Sequence, residues 1–372
     1  MKVVNIMTSN LNYNGIGMSL LNYYDNISSD NIQMDYIVPN KVDNNLKKEF
    51  TKKGNKIYEL EYKGGKMHQK NPVLYFVTLY KIFKSEHYDI VHAHGSSSML
   101  FLQLLSSMMA GVKVRIAHSR NTKSNYGIIN LLAKPLFYIS YNVAFSCGKE
   151  AGKWLFGNRD FTIIPNGKNC DKFKFNQLER IEIRNRFGLN NKKVLGHVGN
   201  FNYQKNHEFL IKLFKKLKEN DDNYVLVLAG DGETRDFIEE KVREYKLTNS
   251  VIFLGQIPVS EISKWLNAMD IMVFPSRFEG FPNVLIEWQM NGLPCIISNK
   301  ITKDVCITKL VRFANIDSIS DWVQSINNVE IVDRKNNNAE ILNNIKNAGY
   351  DIKENAILLE KEYERLYEKY CK

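Results

Sequence analysis

The chain has 372 residues, of which 44% are hydrophobic and 24% charged; this is too long for one small core, and the balance is that of a globular protein. Lys and Arg number 51 against 40 Asp and Glu, a formal net charge of +11 that favours an anionic partner such as nucleic acid, an anionic bilayer or a phosphorylated substrate. No apolar run reaches the roughly 18 residues a membrane span needs, no basic-aromatic signature of a nucleic-acid module occurs, and five scattered cysteines without a Cys-x-x-Cys pair argue against a disulfide framework and a zinc site.

From the start, "MKVVNIMTSNLNYNG" reads as a first strand and not as a signal peptide, so a cytoplasmic protein is expected. Short β-rich runs then alternate with longer amphipathic segments: "KVVNIMTS", "MDYIVP", "KIYELEY", "DIVHAHG", "KVRIAHS", "NVAFSCG" and "TIIPNG". Most have the look of strands buried on both faces. A polar, Lys- and Asn-rich stretch follows, and the pattern begins again with "KVLGHVGN", "YVLVLAGDG", "VIFLGQ", "DIMVFPS", "PCIISN" and "KLVRFAN". Strand then helix, repeated twice over, predicts two doubly wound α/β domains with parallel sheets. The expected layout is one domain over residues 1–168, a linker region over 169–192, a second domain over 193–348 and a C-terminal helix over 349–372. In that last segment Ile352, Ala356, Leu359, Tyr363, Leu366 and Tyr370 recur every four or three positions, an amphipathic stripe expected to cross back to the first domain.

In such sheets ligands sit beyond the carboxyl ends of the strands, which directs attention to the loops after the apolar runs. "PSRFEGFPNVLIE" (275–287) reads as strand end, loop and helix, with Pro282 suited to a first helical turn. Backbone N–H groups of Gly280, Phe281 and Asn283 would point toward a ligand there, where the helix dipole favours an anion or an electron-rich hydroxyl. Glu279 precedes that terminus and Glu287 falls about two turns later. Two carboxylates so placed suit the vicinal diols of sugars and ribose. A capping glutamate plus a surface glutamate is the alternative, although the apolar neighbours of Glu287 call for a partner. "HAHG" offers His92 and His94 on one face of a strand, a spacing that suits a metal, yet no third ligand is evident nearby and a core or loop role is favoured.

Residues 275–287 followed by "GLPCIIS" resemble the Glu-x7-Glu signature of retaining GT-B glycosyltransferases (glycosyltransferase family 4), which include bacterial capsule and exopolysaccharide enzymes. "MTSNLNYNGIGMSLLNYY", "YDIVHAHG", "VRIAHSRNT", "SCGKEAGKWLFG", "IIPNG", "HVGNFNYQKNHEFL" and "LVLAGDGE" resemble that family's other blocks in order, so the resemblance spans nearly the whole chain. It implies two Rossmann-like domains facing a cleft, the first on the acceptor side and the second binding a nucleotide sugar, with UDP the expected nucleotide. It also implies roles. Lys205 would meet the departing diphosphate, whose charge grows in the transition state; Glu279 would hold donor-sugar hydroxyls and Glu287 the ribose diol. Gly280 and Phe281 amides, with Pro282 and Asn283 at the helix start, would face sugar and phosphate. Gly15, then Gly17, match the glycine loop that approaches the phosphate, and His118 matches the active-site histidine between donor and acceptor.

One position departs from the pattern: Asn200 stands where the family usually has an arginine, so one diphosphate partner is missing, and compensation by Arg277 or Arg120 is expected. No Asp-x-Asp occurs. The resemblance therefore implies metal-independent transfer with retention, with no cofactor beyond the nucleotide sugar as co-substrate. A nucleotide-sugar isomerase on the same fold and a non-catalytic binding partner are the alternatives. The charge, together with "KMHQKNPVLYFVTLYKIFK" (66–84), where Leu74, Tyr75, Phe76, Leu79, Tyr80 and Phe83 lie among lysines, suggests peripheral binding at the inner face of an anionic cytoplasmic membrane; a core helix of the first domain with solvated lysines is the alternative for this stretch. A lipid-linked saccharide is the acceptor the resemblance implies.

Overall fold

The computed structural model describes residues 1–11, 15–62, 65–122, 127–279 and 281–372. The chain divides into two compact units, residues 1–168 with 349–372, and residues 169–348. In the first unit the strands are β1 (Lys2–Met7), β2 (Gln33–Val38), β3 (Ile57–Glu59), the small hairpin β4 (Glu61–Tyr62) and β5 (Gly65–Lys66), then β6 (Ile90–Gly95), β7 (Val114–Ser119), β8 (Val143–Ser146) and β9 (Thr162–Ile163). Apart from the hairpin they form one sheet in the order β3-β2-β1-β6-β7-β8-β9, every pairing parallel. The second unit repeats the plan with β10 (Lys193–Val198), β11 (Tyr224–Ala229), β12 (Val251–Gly255), β13 (Ile271–Phe274), β14 (Cys295–Ser298) and β15 (Val311–Ala314), ordered β12-β11-β10-β13-β14-β15 and again all parallel.

Each apolar run in the sequence has become a strand because helices cover the sheets and leave the strands little water to face. All six residues of β6 and of β11 are buried. In both sheets the order reverses beside the first strand, between β1 and β6 and between β10 and β13. The crevice at such a reversal is where doubly wound sheets receive ligands.

The helix Ile352–Cys371 belongs to the first unit, where Ile352, Ala356, Leu359, Tyr363 and Leu366 enter one core with Val3, Tyr36 and Ile116. Full burial of side chains of this size is worth roughly 1.5–3 kcal/mol each, so the stripe is a strong anchor. Residues 169–192, expected as a linker region, hold the helices Cys170–Phe173 and Gln177–Arg186 and fold within the second unit. The second of these docks through cations: Arg180 and Arg184 donate to Asp270 and to the carbonyls that end the helix Val259–Ala268. The helix Pro72–Glu86 turns Tyr75, Leu79 and Phe83 into the first unit's core. That burial removes half the aromatic side expected to meet a membrane.

Candidate active site

In the second unit, β10 and β13 deliver two loops that bind each other. The Arg277 N–H donates to the Gln204 carbonyl (2.8 Å), its guanidinium to the Tyr203 carbonyl (2.7 Å), and Asn206 Nδ2 to the Pro275 carbonyl (3.2 Å). The loop after β10 is also clasped from behind. A Cβ on Gly230 would lie 2.1 Å from the Gly199 oxygen and one on Gly232 2.4 Å from the Phe201 oxygen, and both glycines have positive φ (138° and 155°). Only glycine fits there.

The clasp places Lys205 Nζ 2.7 Å from Glu279 Oε1, with only 15% and 9% of the two side chains exposed. The ammonium also lies over the Phe274 ring at 4.6 Å, a cation–π contact. Asn202 Oδ1 accepts from the Lys205 N–H at 3.0 Å and fixes the turn. A charge pair this shielded needs both members, since either alone would be a partly desolvated ion. Around it stand polar atoms that are buried without a hydrogen-bond partner: Ser276 Oγ, Asn206 Oδ1, Asn283 Oδ1 and His197 Nε2. His197 Nδ1 bonds the Val273 carbonyl at 2.8 Å, so its proton sits there and Nε2 carries the lone pair. Burial lowers the His197 pKa to about 4.

The remaining expected donor residues fall nearby or outside the description. The helix near the loop runs Asn283–Met290 with Pro282 as its N-cap, so Pro282 precedes the first turn instead of occupying it. Glu287 is half-buried on that helix, Phe281 is half-buried before it, and Asn200 is exposed. Gly280 lies outside the described residues. Arg277, stacked on the Tyr203 ring at 4.2 Å, is the candidate compensating arginine in these loops.

Arg120 belongs to the first unit and is engaged there. It donates to His94 Nδ1 from Nε (3.1 Å) and Nη2 (3.0 Å) and to Asn166 Oδ1 (2.7 Å). His118 is joined to a buried network at the carboxyl ends of β6 and β7: His118 Nδ1 to His92 Nε2 at 2.9 Å, His92 Nδ1 to the Tyr363 hydroxyl at 2.7 Å, and His94 Nε2 to Asn5 Oδ1 at 2.9 Å. Since Arg120 donates to His94 Nδ1, the His94 proton is on Nε2. Burial, reinforced by the Arg120 guanidinium, holds all three imidazoles far below the usual histidine range. His118 Nε2 is buried and lacks a partner. Of the expected glycine loop, Gly15 opens the helix Gly15–Asn26 and Gly17 is buried within it.

The third histidine beside His92 and His94 is therefore His118, with one nitrogen from each ring within 4.8 Å of the others. Sequence alone did not bring them together, although parallel pairing sets His94 opposite His118, and aligning the two apolar runs shows it. A metal fits this set poorly, because a cation would displace the His92–His118 hydrogen bond and face the guanidinium already on His94. The bonds of this network are not legible in the sequence either: His92 bonds His118, Tyr363 bonds His92, and Asn5 and Arg120 bond His94; Tyr363 is 271 residues from the His92 it touches.

Two parallel doubly wound sheets, with a partly buried cation–carboxylate pair at the switch point of the second, define a two-domain Rossmann-like enzyme of the GT-B type. The model of the family "Glycosyl transferases group 1" matches residues 179–343. The Bacillus subtilis protein EpsF, named as a glycosyltransferase, is 30% identical over 362 residues, 93% of this chain and 92% of its own. An Escherichia coli UDP-Gal:alpha-D-GlcNAc-diphosphoundecaprenol alpha-1,3-galactosyltransferase is 29% identical over 65% of this chain and 67% of its own. Among solved structures, Anabaena HepE in complex with UDP superposes with a TM-score of 0.76 at 17% identity, covering 98% of this chain and all of the other; HepE has also been solved with UDP-glucose. The chain belongs to the group 1 glycosyl transferase family.

Proposed function

We propose that the protein transfers a hexosyl or N-acetylhexosaminyl group from a UDP-linked donor to a lipid-linked acceptor in the growth of a cell-surface polysaccharide, with retention and without a metal. The observation that carries this reading is the partly buried Lys205–Glu279 pair at the switch point of the second sheet. Cleaving the glycosyl–phosphate bond leaves charge on the diphosphate, and an ammonium on a flexible stem can follow it. Glu279, relieved of its cation by that movement, accepts hydrogen bonds from donor-sugar hydroxyls. Glu287 takes the ribose diol; the Phe281 amide and the helix start at Pro282 and Asn283 face sugar and phosphate. Asn200, Gly15 and Gly17 approach the diphosphate, and His118 Nε2 is turned to a hydroxyl of donor or acceptor. HepE holds UDP and UDP-glucose on the same fold, and the Escherichia coli relative is named for a lipid-linked acceptor; both support the reading. The acceptor end of the work would be at the inner face of the cytoplasmic membrane.

The test is thermal stabilisation by a panel of nucleotide sugars, followed by turnover with undecaprenyl-diphosphate-linked saccharides in the presence and absence of EDTA. A product with the donor's anomeric configuration, formed equally well with EDTA, is the expected result. Donor consumed at the same rate without acceptor points instead to an isomerase, and donor bound without turnover to a non-catalytic partner.

A further inference from the structure

The helix Gly127–Leu132 in the first unit is built inside out. Asn130 faces the protein, where its Oδ1 accepts from Ser97 Oγ (3.1 Å) and from the Ser98 N–H (2.8 Å). Ile128, Ile129, Leu131 and Leu132 are 77%, 55%, 64% and 72% exposed, and no residue of the helix is fully buried. A helix facing water shows the reverse polarity. The next helix, Lys134–Ser140, buries Phe137 and Ser140 but leaves Leu136 and Ile139 outside. Trp154, also exposed, is pinned by its Nε1–H to the Ser96 carbonyl at 2.8 Å. Ser96, Ser97 and Ser98 follow β6 directly, so both the apolar helix and the indole are tied to the carboxyl edge of the first sheet.

The surroundings are cationic. From Lys134 to Asp160 the chain carries Lys134, Lys149, Lys153 and Arg159 against two acidic residues, Glu150 and Asp160. Arg159 lies over the Tyr138 ring of the second helix at 3.9 Å, and Lys153 beside Trp154 is 3.5 Å from Glu150. A cluster of exposed aliphatic side chains with an indole and a basic rim matches the layers of an anionic bilayer surface: acyl boundary, interface and headgroups.

We propose that Ile128, Ile129, Leu131, Leu132 and Ile139, with Trp154 and the basic residues beside them, form the face by which the protein docks on an anionic phospholipid bilayer. Docking there sets the carboxyl edge of the first sheet at the lipid surface. The purpose of the face rests on the lipid-linked acceptor proposed above; its existence does not.

The experiment is co-sedimentation with phosphatidylcholine vesicles, with and without phosphatidylglycerol, at low and high salt. The parent is compared with Ile128→Gln/Leu131→Gln/Leu132→Gln, with Lys134→Gln/Lys153→Gln/Arg159→Gln and with the control Val73→Gln/Val77→Gln on another exposed apolar site. Because membrane partitioning scales with buried apolar area, the apolar triple variant should lose at least ~10-fold in partitioning at every salt concentration. The basic variant should lose binding chiefly at low salt and on anionic vesicles, and the control should bind as the parent does. Stabilisation by UDP-sugars, measured without vesicles, should be unchanged in all of them, which separates a failed docking face from a failed donor site. Equal binding of the apolar triple variant and the parent, or no binding of the parent to anionic vesicles, overturns the proposal. So does a parent dimer that the triple variant converts to monomer, since the face would then be a contact between copies.

Discussion

Removing one member of the Lys205–Glu279 pair should produce two losses that can be measured separately. Breaking a buried pair by truncating one partner costs ~3–5 kcal/mol. With 15% and 9% of the side chains still exposed, water can reach the stranded charge, and about 2 kcal/mol is a reasonable expectation for Lys205→Ala or Glu279→Ala. In a unit of this size each kcal/mol lowers the unfolding midpoint by ~2–4 °C, so a shift of about 4–8 °C is predicted. The double variant strands no charge and should be more stable than the two single losses added together would give. Turnover should behave differently: each single variant falls at least ~100-fold, and the double variant recovers none of it. Scanning calorimetry on all four proteins gives the first cycle, and single-turnover donor cleavage gives the second. Single variants within a few-fold of the parent rate would refute the site, and rates that track stability across the cycle would reduce the pair to a structural role.

Glu287→Ala should weaken donor binding by an order of magnitude or more while leaving turnover at saturating donor near the parent value, because the ribose does not change in the reaction; titration calorimetry with the donor checks it. Arg277→Ala should lower the rate if Arg277 supplies the charge that Asn200 lacks, and Asn200→Arg should then fail to help; a full-rate Arg277→Ala beside a faster Asn200→Arg shows that nothing compensates. Stability should fall with acid. His197 has its folded pKa lowered to about 4 by burial, and His92, His94 and His118 are shifted the same way. The unfolded chain therefore takes up protons first, and stability present above pH ~6.5 is lost toward pH 4 at up to ~1.4 kcal/mol per unit for each histidine. Urea midpoints at pH 7, 6 and 5 test this, and a flat series contradicts it.

What the sequence showed, it showed through apolar burial. Runs such as "IVHAHG" and "YVLVLA" are legible because a parallel strand covered on both faces admits few charges, and the loop bearing Lys205 could be placed from the strand it follows. Polar packing was invisible. The helix Gln177–Arg186 read as linker because it docks through Arg180 and Arg184, residues that composition assigns to the surface. Arg334 is equally hidden: its guanidinium takes the Leu266, Asn267 and Met269 carbonyls at a helix end. The stretch 66–84 is ambiguous in sequence, since aromatic residues among lysines describe a core helix with a solvated back as well as they describe a membrane helix; the structure buries Tyr75, Leu79 and Phe83 and leaves Leu74 exposed. Spacing likewise placed Glu279 and Glu287 on one loop and helix, but the ion pair with Lys205 depends on a fold between residues 74 positions apart.

The first unit is assembled from two separate stretches, residues 1–168 and 349–372. Lys168 leaves it and Asp351 re-enters beside the same point, with the Lys168 N–H on the Tyr350 carbonyl and the Ile352 N–H on the Lys168 carbonyl. On the ribosome this imposes an order. Residues 169–348 are contiguous and can close their core as they emerge, while the core around Val3, Tyr36 and Ile116, already shared with Tyr24 and Phe50, stays incomplete until Leu359, Tyr363 and Leu366 have been made. The hydroxyl that meets His92 belongs to that later stretch, so the histidine network cannot close before Tyr363 has been made, and a chain halted at residue 348 would carry a finished second unit beside a sheet still lacking part of its cover.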